Sequence, residues 1–220
     1  GDLSRKIEAN ANELSVALTP DKVETLSNAL RFKFDVNARN SNFAYGEGRA
    51  ENISILAKGV ADNTHAEVSD LQISSPFGDT FISGTITDWA HPRYDLNAES
   101  SLDLTQLSQT FSTGTALRGV GNFKGKITGE GENYRVEGTA SSEAFRAAGV
   151  YLKGANIAAT VEGTNSNYTA NGTAIAELLT FDDFRVDFLK MAGNVRGTGT
   201  DFRWVGELQA IAAKTPSMTI

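Results

Sequence analysis

The residues able to do chemistry are few. His65 and His91 are the only imidazoles, 26 residues apart and in different turn-like stretches. Neither belongs to a pattern of carboxylates that would complete a metal site or a Ser-His-Asp arrangement, so both read as surface turn histidines. Cysteine is absent, which removes disulfides, thiolate metal sites and cysteine nucleophiles together. Asp182-Asp183 and the alternate pair Glu130 and Glu132 are acids at loop positions, where carboxylates are ordinarily solvated. Gly119-x-Gly121-x-x-x-Gly125 and Gly129-x-Gly131 hold glycines at phosphate-loop spacing, but no helical stretch follows and the Lys-Ser/Thr pair is missing. The Gly-Gly-x-Gly-x-Asp nonapeptides of a calcium β-roll are also missing. The expectation is a non-enzymatic chain with no catalytic residue, metal or cofactor. Asn52-Ile-Ser54, Asn167-Tyr-Thr169 and Asn171-Gly-Thr173 match the glycosylation acceptor pattern and read instead as turn chemistry.

The glycines make sense once the elements carrying them are found. Gly129-Glu-Gly-Glu-Asn-Tyr134-Arg-Val-Glu-Gly138 returns 34 residues later as Gly163 to Gly172 around Tyr168, and again as Gly197 to Gly206 around Phe202. Ile127, Val161 and Val195 stand two residues before the first glycine of each copy. Each copy reads as strand, tight turn and strand, with Tyr134, Val136 and Gly138 alternating against Arg135, Glu137 and Thr139. Val150 and Leu152 recur as Phe184 and Val186, so the repeat is two strands long. The alternation slips phase between Gly154 and Ala155, and again between Phe188 and Leu189. A slip kept in step with the repeat predicts a built-in bulge or bend.

Composition agrees with an all-β repeat. Glycine, at 21 of 220 residues, is in excess of average usage without proline enrichment or a three-residue period, which points to turns and bulges. A net charge of −7, with basic residues scattered among acids, excludes a phosphate-binding nucleic-acid face and argues against a polybasic membrane-surface patch. No 18-residue apolar run and no signal-peptide-like start occur in the sequence. It begins and ends in strand-like text, as expected of a piece of a longer repeat protein.

Two helices are expected. Thr19-Pro20 opens one over about residues 20–30, with Val23, Leu26 and Leu30 on one face; Asp103-Leu-Thr-Gln106 is a capping-box-like start for another over 103–111, with Leu104, Leu107 and Phe111 inward. Phe32, Phe34, Val36 and Ala38 form a clear half-buried strand, and Ile53 to Ile86 reads as four short strands. Strand, short helix and a run of strands thus occur twice. The chain divides into a unit at 1–101 and a second at 102–220 that contains the three 34-residue hairpin copies.

Arg118-Gly-Val-Gly-Asn-Phe-Lys-Gly-Lys-Ile-Thr-Gly129 with Tyr134-Arg-Val-Glu-Gly138, preceded by Leu102-Asp-Leu-Thr-Gln-Leu107, resembles the TamB-like and AsmA-like proteins of diderm bacteria. The resemblance lies in the rhythm of glycine-spaced strands and short helices, over most of the chain. It implies a long, curled antiparallel sheet with an apolar inner face, in an inner-membrane-anchored protein crossing the periplasm. It also implies phospholipid transport to the outer membrane, outer-membrane protein assembly, or both, with acyl chains and an outer-membrane assembly component as partners.

On this reading the fold is one twisted antiparallel sheet curled into a trough. Phe123, Ile127, Tyr134, Val136, Val161, Tyr168, Val195, Phe202 and Trp204 line it for acyl chains. Small inward residues (Gly121, Gly125, Ala155, Ala159, Gly193) favour an open groove over a closed β-solenoid core without ligand, which is the alternative. Unpaired strands at both ends predict self-association.

Overall fold

The computed structural model describes residues 7–21, 30–45, 48–111, 116–199, 201–215 and 218–219. Six strands come first: β1 (Ile7–Pro20), β2 (Phe32–Tyr45), β3 (Gly48–Ala61), β4 (His65–Ser75), β5 (Gly78–Thr87) and β6 (Arg93–Asp103). Helix α1 (Leu104–Phe111) leads to β7 (Val120–Glu130), β8 (Asn133–Ala147), β9 (Val150–Thr164), β10 (Asn167–Phe181), β11 (Phe184–Thr198) and β12 (Asp201–Gln209). Short β13 (Ala212–Thr215) and β14 (Met218–Thr219) follow. All fourteen strands belong to one open, curled antiparallel sheet, each pairing with its neighbour in sequence, except that β12 and β13 share the outer edge of β11.

The 34-residue period has a simple origin. Strands β8 to β12 begin at Asn133, Val150, Asn167, Phe184 and Asp201, one start every 17 residues, because 15-residue strands are joined by two-residue turns. Such turns need backbone twisted to positive φ, which Gly, Asn and Asp tolerate best. Gly131 (φ 57°), Asn165 (φ 55°) and Asp182 (φ 50°) supply it.

The predicted phase slips lie on one line. Gly154 and Phe188 have φ of 61° and 54°, and the break between β12 and β13 falls at Ala210-Ile211, in the place that would oppose Phe188. Partner strands change phase at the same level, so pairing resumes in unchanged register: Ser142↔Ala155 and Ala144↔Lys153 flank the slip. The result is a crease across the strands. On one side lies a long wall; on the other lies a short flap reaching to the turns at 148–149 and 182–183. In β2 and β3 the crease passes through Asn40 (φ 49°) and Asn52 (φ 59°), with register shifts beside them.

Residues from both sides of the crease pack together. Ala176, Leu189 and Met191 on the wall meet Leu152, Leu179, Val186 and Ala213 on the flap. The sheet therefore bends toward the face carrying these side chains, and that face is concave. Most of the buried side chains lie near the crease, Ala38, Ser41, Ala50, Ile53, Ser142, Ala176, Val186 and Leu189 among them, while Ala66 and Ala98 are buried further out on the wall.

Helix α1 begins where β6 reaches the crease. Asp103 caps it, accepting from the Thr105 and Gln106 amides at 2.8 and 3.1 Å while the Gln106 side chain donates back at 3.2 Å. These donors, Gln106 first, hold the Asp103 carboxyl below the usual range. Leu104 sits against Gly121, and the Phe111 ring meets Phe43 and Phe77 edge-on at 6.4 and 6.0 Å. The helix thus lies in the concavity, spanning from the β2–β3 flap to β7.

Three expectations need adjustment. Ile53 to Ile86 lies in three long strands, β3, β4 and β5, not four short ones, and the register shift beside Ser69-Asp70 is accommodated within β4. Asn167 and Asn171 lie inside β10, not in turns: Asn167 Oδ1 accepts from Thr198 at 2.7 Å and Asn171 Oδ1 from Asn194 at 2.7 Å. The first expected helix falls mainly on 22–29, outside the described residues, while Pro20 ends β1.

Candidate functional site

Following the pairing from strand to strand assigns every side chain to a face. The concave face of β6 to β9 carries Tyr94, Leu96, Ala98, Ser100 and Leu102; Gly129, Ile127, Gly125, Phe123 and Gly121; Tyr134, Val136, Gly138, Ala140 and Ser142; and Gly163, Val161, Ala159, Ile157 and Ala155. Beyond the crease it continues as Phe145, Leu152, Leu179 and Val186. From β2 to β12, the residues that pairing places on this face on either side of the crease include no Asp, Glu, Lys or Arg.

The convex face is the reverse. Lys124 pairs with Glu99 at 3.0 Å, Lys126 with Asp95 at 2.9 Å, and Arg135 with both Glu137 and Glu162. Exposed pairs of this kind contribute only ~0–1 kcal/mol each, so they distinguish the faces more than they hold the sheet together.

Rows of like residues run across the strands of the concave face. Nearest the wall's outer rim, tyrosine and glycine alternate as Tyr94, Gly129, Tyr134, Gly163, Tyr168, Gly197 and Phe202. Each tyrosine lies over the glycine one strand further on: a Cβ at Gly197 would come within 2.6 Å of the Tyr168 hydroxyl, and one at Gly163 within 2.5 Å of Tyr134 Cζ. The aromatic ring covers backbone that a glycine leaves bare, which ties adjacent strands together. Phe202 has no further strand to cover and is 69% exposed.

Next comes an apolar row of Leu96, Ile127, Val136, Val161, Ala170, Val195 and Trp204, and then a row of small residues from Ala98 through Gly125, Gly138, Ala159, Gly172 and Gly193 to Gly206. The small row forms a channel floor between bulkier rows. Phe123 and Trp204 fold toward it, each within 2.8 Å of where a Cβ on Gly125 or Gly206 would stand.

All nine residues expected to line the trough share this face. Phe123, Ile127, Tyr134, Val136, Val161, Tyr168, Val195 and Trp204 are half-buried, and Phe202 is exposed. Among the described residues, no bulky side chain is fully buried and α1 is the only element lying over the face. Sequence reasoning did not place the flap lining, Phe145, Leu152, Leu179 and Val186, in the site. The phase slip hid their side, although the recurrence of Leu152 as Val186 was its visible trace.

The reactive-group candidates stay apart. His65 Nδ1 lies 2.7 Å from Asp62, and His91 Nδ1 3.8 Å from Asp88, each an aspartate three residues earlier that the sequence reading had not connected to its histidine. Among the described residues no group of three or more His, Cys, Asp or Glu is placed to hold a metal ion, and no helix is long and apolar enough to cross a membrane. Comparison of the chain with protein-family models, with curated proteins and with solved structures finds no match.

Proposed function

We propose that the concave face is a conduit for lipid acyl chains, in a non-enzymatic TamB-like or AsmA-like envelope protein that moves phospholipid between membranes, assists outer-membrane assembly, or both. One observation carries the reading: a curled sheet presents an uncharged, mostly apolar concave face that, among the described residues, no second layer covers in β8 to β12. Leaving such a face in water costs ~25 cal/mol per Å2 of apolar surface, so lipid, detergent or a partner segment is favoured wherever one is present. A closed repeat core without ligand would fill with bulky, fully buried side chains. The open channel of Gly and Ala between the row of Ile127, Val136 and Val161 and the row of Phe123 and Ile157 supports the conduit instead.

Passage along the trough needs weak contacts that repeat, and the 34-residue period supplies equivalent sites at Ile127, Val161 and Val195. The test compares photocrosslinking probes at Val161, on the concave face, and Thr160, on the convex face between Glu137 and Asn171. Strong phospholipid labelling at 161 and little at 160 is expected, with Val161→Arg blocking transport and Thr160→Arg sparing it. Equal labelling at both positions, or none at either, would overturn the conduit.

A further inference from the structure

The flap has an outer face as well, and one row there differs from the other outer rows. Backbone pairing aligns Arg118, Arg146, Tyr151, Thr180, Arg185 and Lys214 in that order across the strands. Four members are cationic and none is acidic. At ~4.8 Å per strand the row extends ~24 Å. The basic residues are 28, 39 and 29 positions apart in sequence, which is why their scatter conceals the patch.

Arg118 and Arg146 are bridged partners, each donating its amide to the other's carbonyl at 2.9 and 3.0 Å, so two like charges stand directly opposite. That arrangement is unfavourable unless an anion is shared. Among the described residues neither guanidinium has a carboxylate within ion-pair distance; Arg146 instead stacks over the Tyr151 ring at 4.6 Å. Of the nearby acids, Asp187 pairs with Arg185 at 2.7 Å, Glu177 pairs with Lys153 at 3.0 Å, Asp182-Asp183 form the turn, and exposed Glu143 stands at the crease, three residues from Arg146, outside the row. Arg146 and Arg185 each stand next to the first or last residue of a strand, and exposed Phe181 and Phe184 flank the tip on the concave side.

We propose that this row receives the phosphate of an anionic lipid headgroup while the acyl chains enter the trough over the flap rim. The inference rests on the conduit reading and adds the end at which the head sits. Arginine forks suit a phosphate, and the rim separates the cationic row from the apolar face by about two residues of strand, roughly 7 Å, a distance that one lipid molecule can straddle.

The test is co-sedimentation of the full chain with vesicles of phosphatidylcholine, alone or with about 30% phosphatidylglycerol. The wild type should bind the anionic vesicles about tenfold more tightly than the neutral ones. The variant Arg118→Gln/Arg146→Gln/Lys214→Gln should lose that preference yet still take up a neutral fluorescent acyl probe. A control with equal loss of charge, Lys58→Gln/Lys124→Gln/Lys126→Gln, should keep it. A triple variant with undiminished preference, or a control that loses as much, overturns the headgroup site and leaves the conduit standing. Displacement from vesicles by millimolar inorganic phosphate overturns the lipid as its source. Failure of the wild type to take up the acyl probe overturns the conduit itself, and the straddling geometry falls with it.

Discussion

From β8 to β12 the chain repeats every 17 residues with two-residue turns; from β1 to β6 strand lengths run from 10 to 14 residues and connections vary. Both halves nevertheless carry a crease. In the first half it is made by register shifts beside Asn40 and Asn52, where pairing moves by one residue and back. In the second, facing strands change phase together around Gly154 and Phe188, and register is kept. Two different local devices give one bend, toward the same face. The periodicity is therefore one way of building the trough, not its cause, and what is common to both halves is an uncharged concave side.

The comparison breaks most forcefully at the glycines under aromatic rings. Gly163 in the regular half lies under Tyr134, and Gly59 in the irregular half lies under Phe34, whose Cζ would stand 2.6 Å from an added Cβ. Gly163→Val should cost about 2–3 kcal/mol, read as a lowered urea midpoint, because the new side chain must displace both the ring and the Asn167 carbonyl. Gly59→Val should cost a similar amount if the halves are built alike. Tyr134→Ala/Gly163→Ala should destabilise less than the sum of its single changes, since the ring is what the methyl group meets. A neutral Gly163→Val would show that the ladder of rings and glycines holds nothing.

A second prediction concerns the two edges. β1 presents Leu14, Val16 and Leu18 at 64, 54 and 64% exposure, and β12 presents Phe202 and Leu208 at 69 and 55%. Among the described residues no strand pairs with the outer side of β1 or of β12. Strand edges of this kind associate. Sedimentation should show concentration-dependent oligomers, and Val16→Lys should weaken them about tenfold by placing a charge on the apolar side of the edge. A wild type that stays monomeric at high concentration would sink this prediction.

The crease offers a third and smaller effect, opposite in sign in the two halves. Asn52 occupies left-handed backbone that suits its short polar side chain, whereas Phe188 occupies the same region with a bulky one. Asn52→Ala should destabilise by about 1 kcal/mol, and Phe188→Asn should stabilise by up to about 1 kcal/mol, because Phe188 is 59% exposed and gives up little packing. If both changes destabilise equally, the Phe188 ring is packing against something the phase argument has not placed.

Much of this architecture was legible in the residues. Tyr134, Tyr168 and Phe202 at a fixed interval gave the hairpins, and the slips beside Gly154 and Phe188 gave the crease, because strand alternation is written directly in polarity. The helix at 104–111 announced itself through Asp103 and Gln106. The flap's contribution was hidden, because a change of phase reverses which side Leu152 and Val186 occupy and only pairing reveals it. The cationic row was hidden for another reason: Arg118, Arg146, Arg185 and Lys214 become neighbours through the sheet and not along the chain.

The smallest expected effect lies in the connection between β3 and β4, part of the irregular half. Asp62 accepts from the Thr64 amide at 2.7 Å, the Thr64 hydroxyl at 2.8 Å and the His65 amide at 2.9 Å. These donors, the Thr64 amide foremost, lower its carboxyl from the ordinary 3.8 to about 2. A carboxyl depressed in the folded state binds its proton more weakly there than in the unfolded chain. Its contribution is therefore complete above pH 3.8 and is lost as pH falls through about 2. Trp89 donates its indole N–H to the Asp62 carbonyl at 3.3 Å, so its fluorescence, in a Trp204→Phe background, reports on this turn. Acid titration should show a Trp89 transition centred near pH 2 that Asp62→Asn abolishes, with little change in global unfolding at neutral pH. Should the transition persist in Asp62→Asn, the turn is set by the flanking strands β3 and β4, and the carboxylate, its His65 contact at 2.7 Å included, is incidental to it.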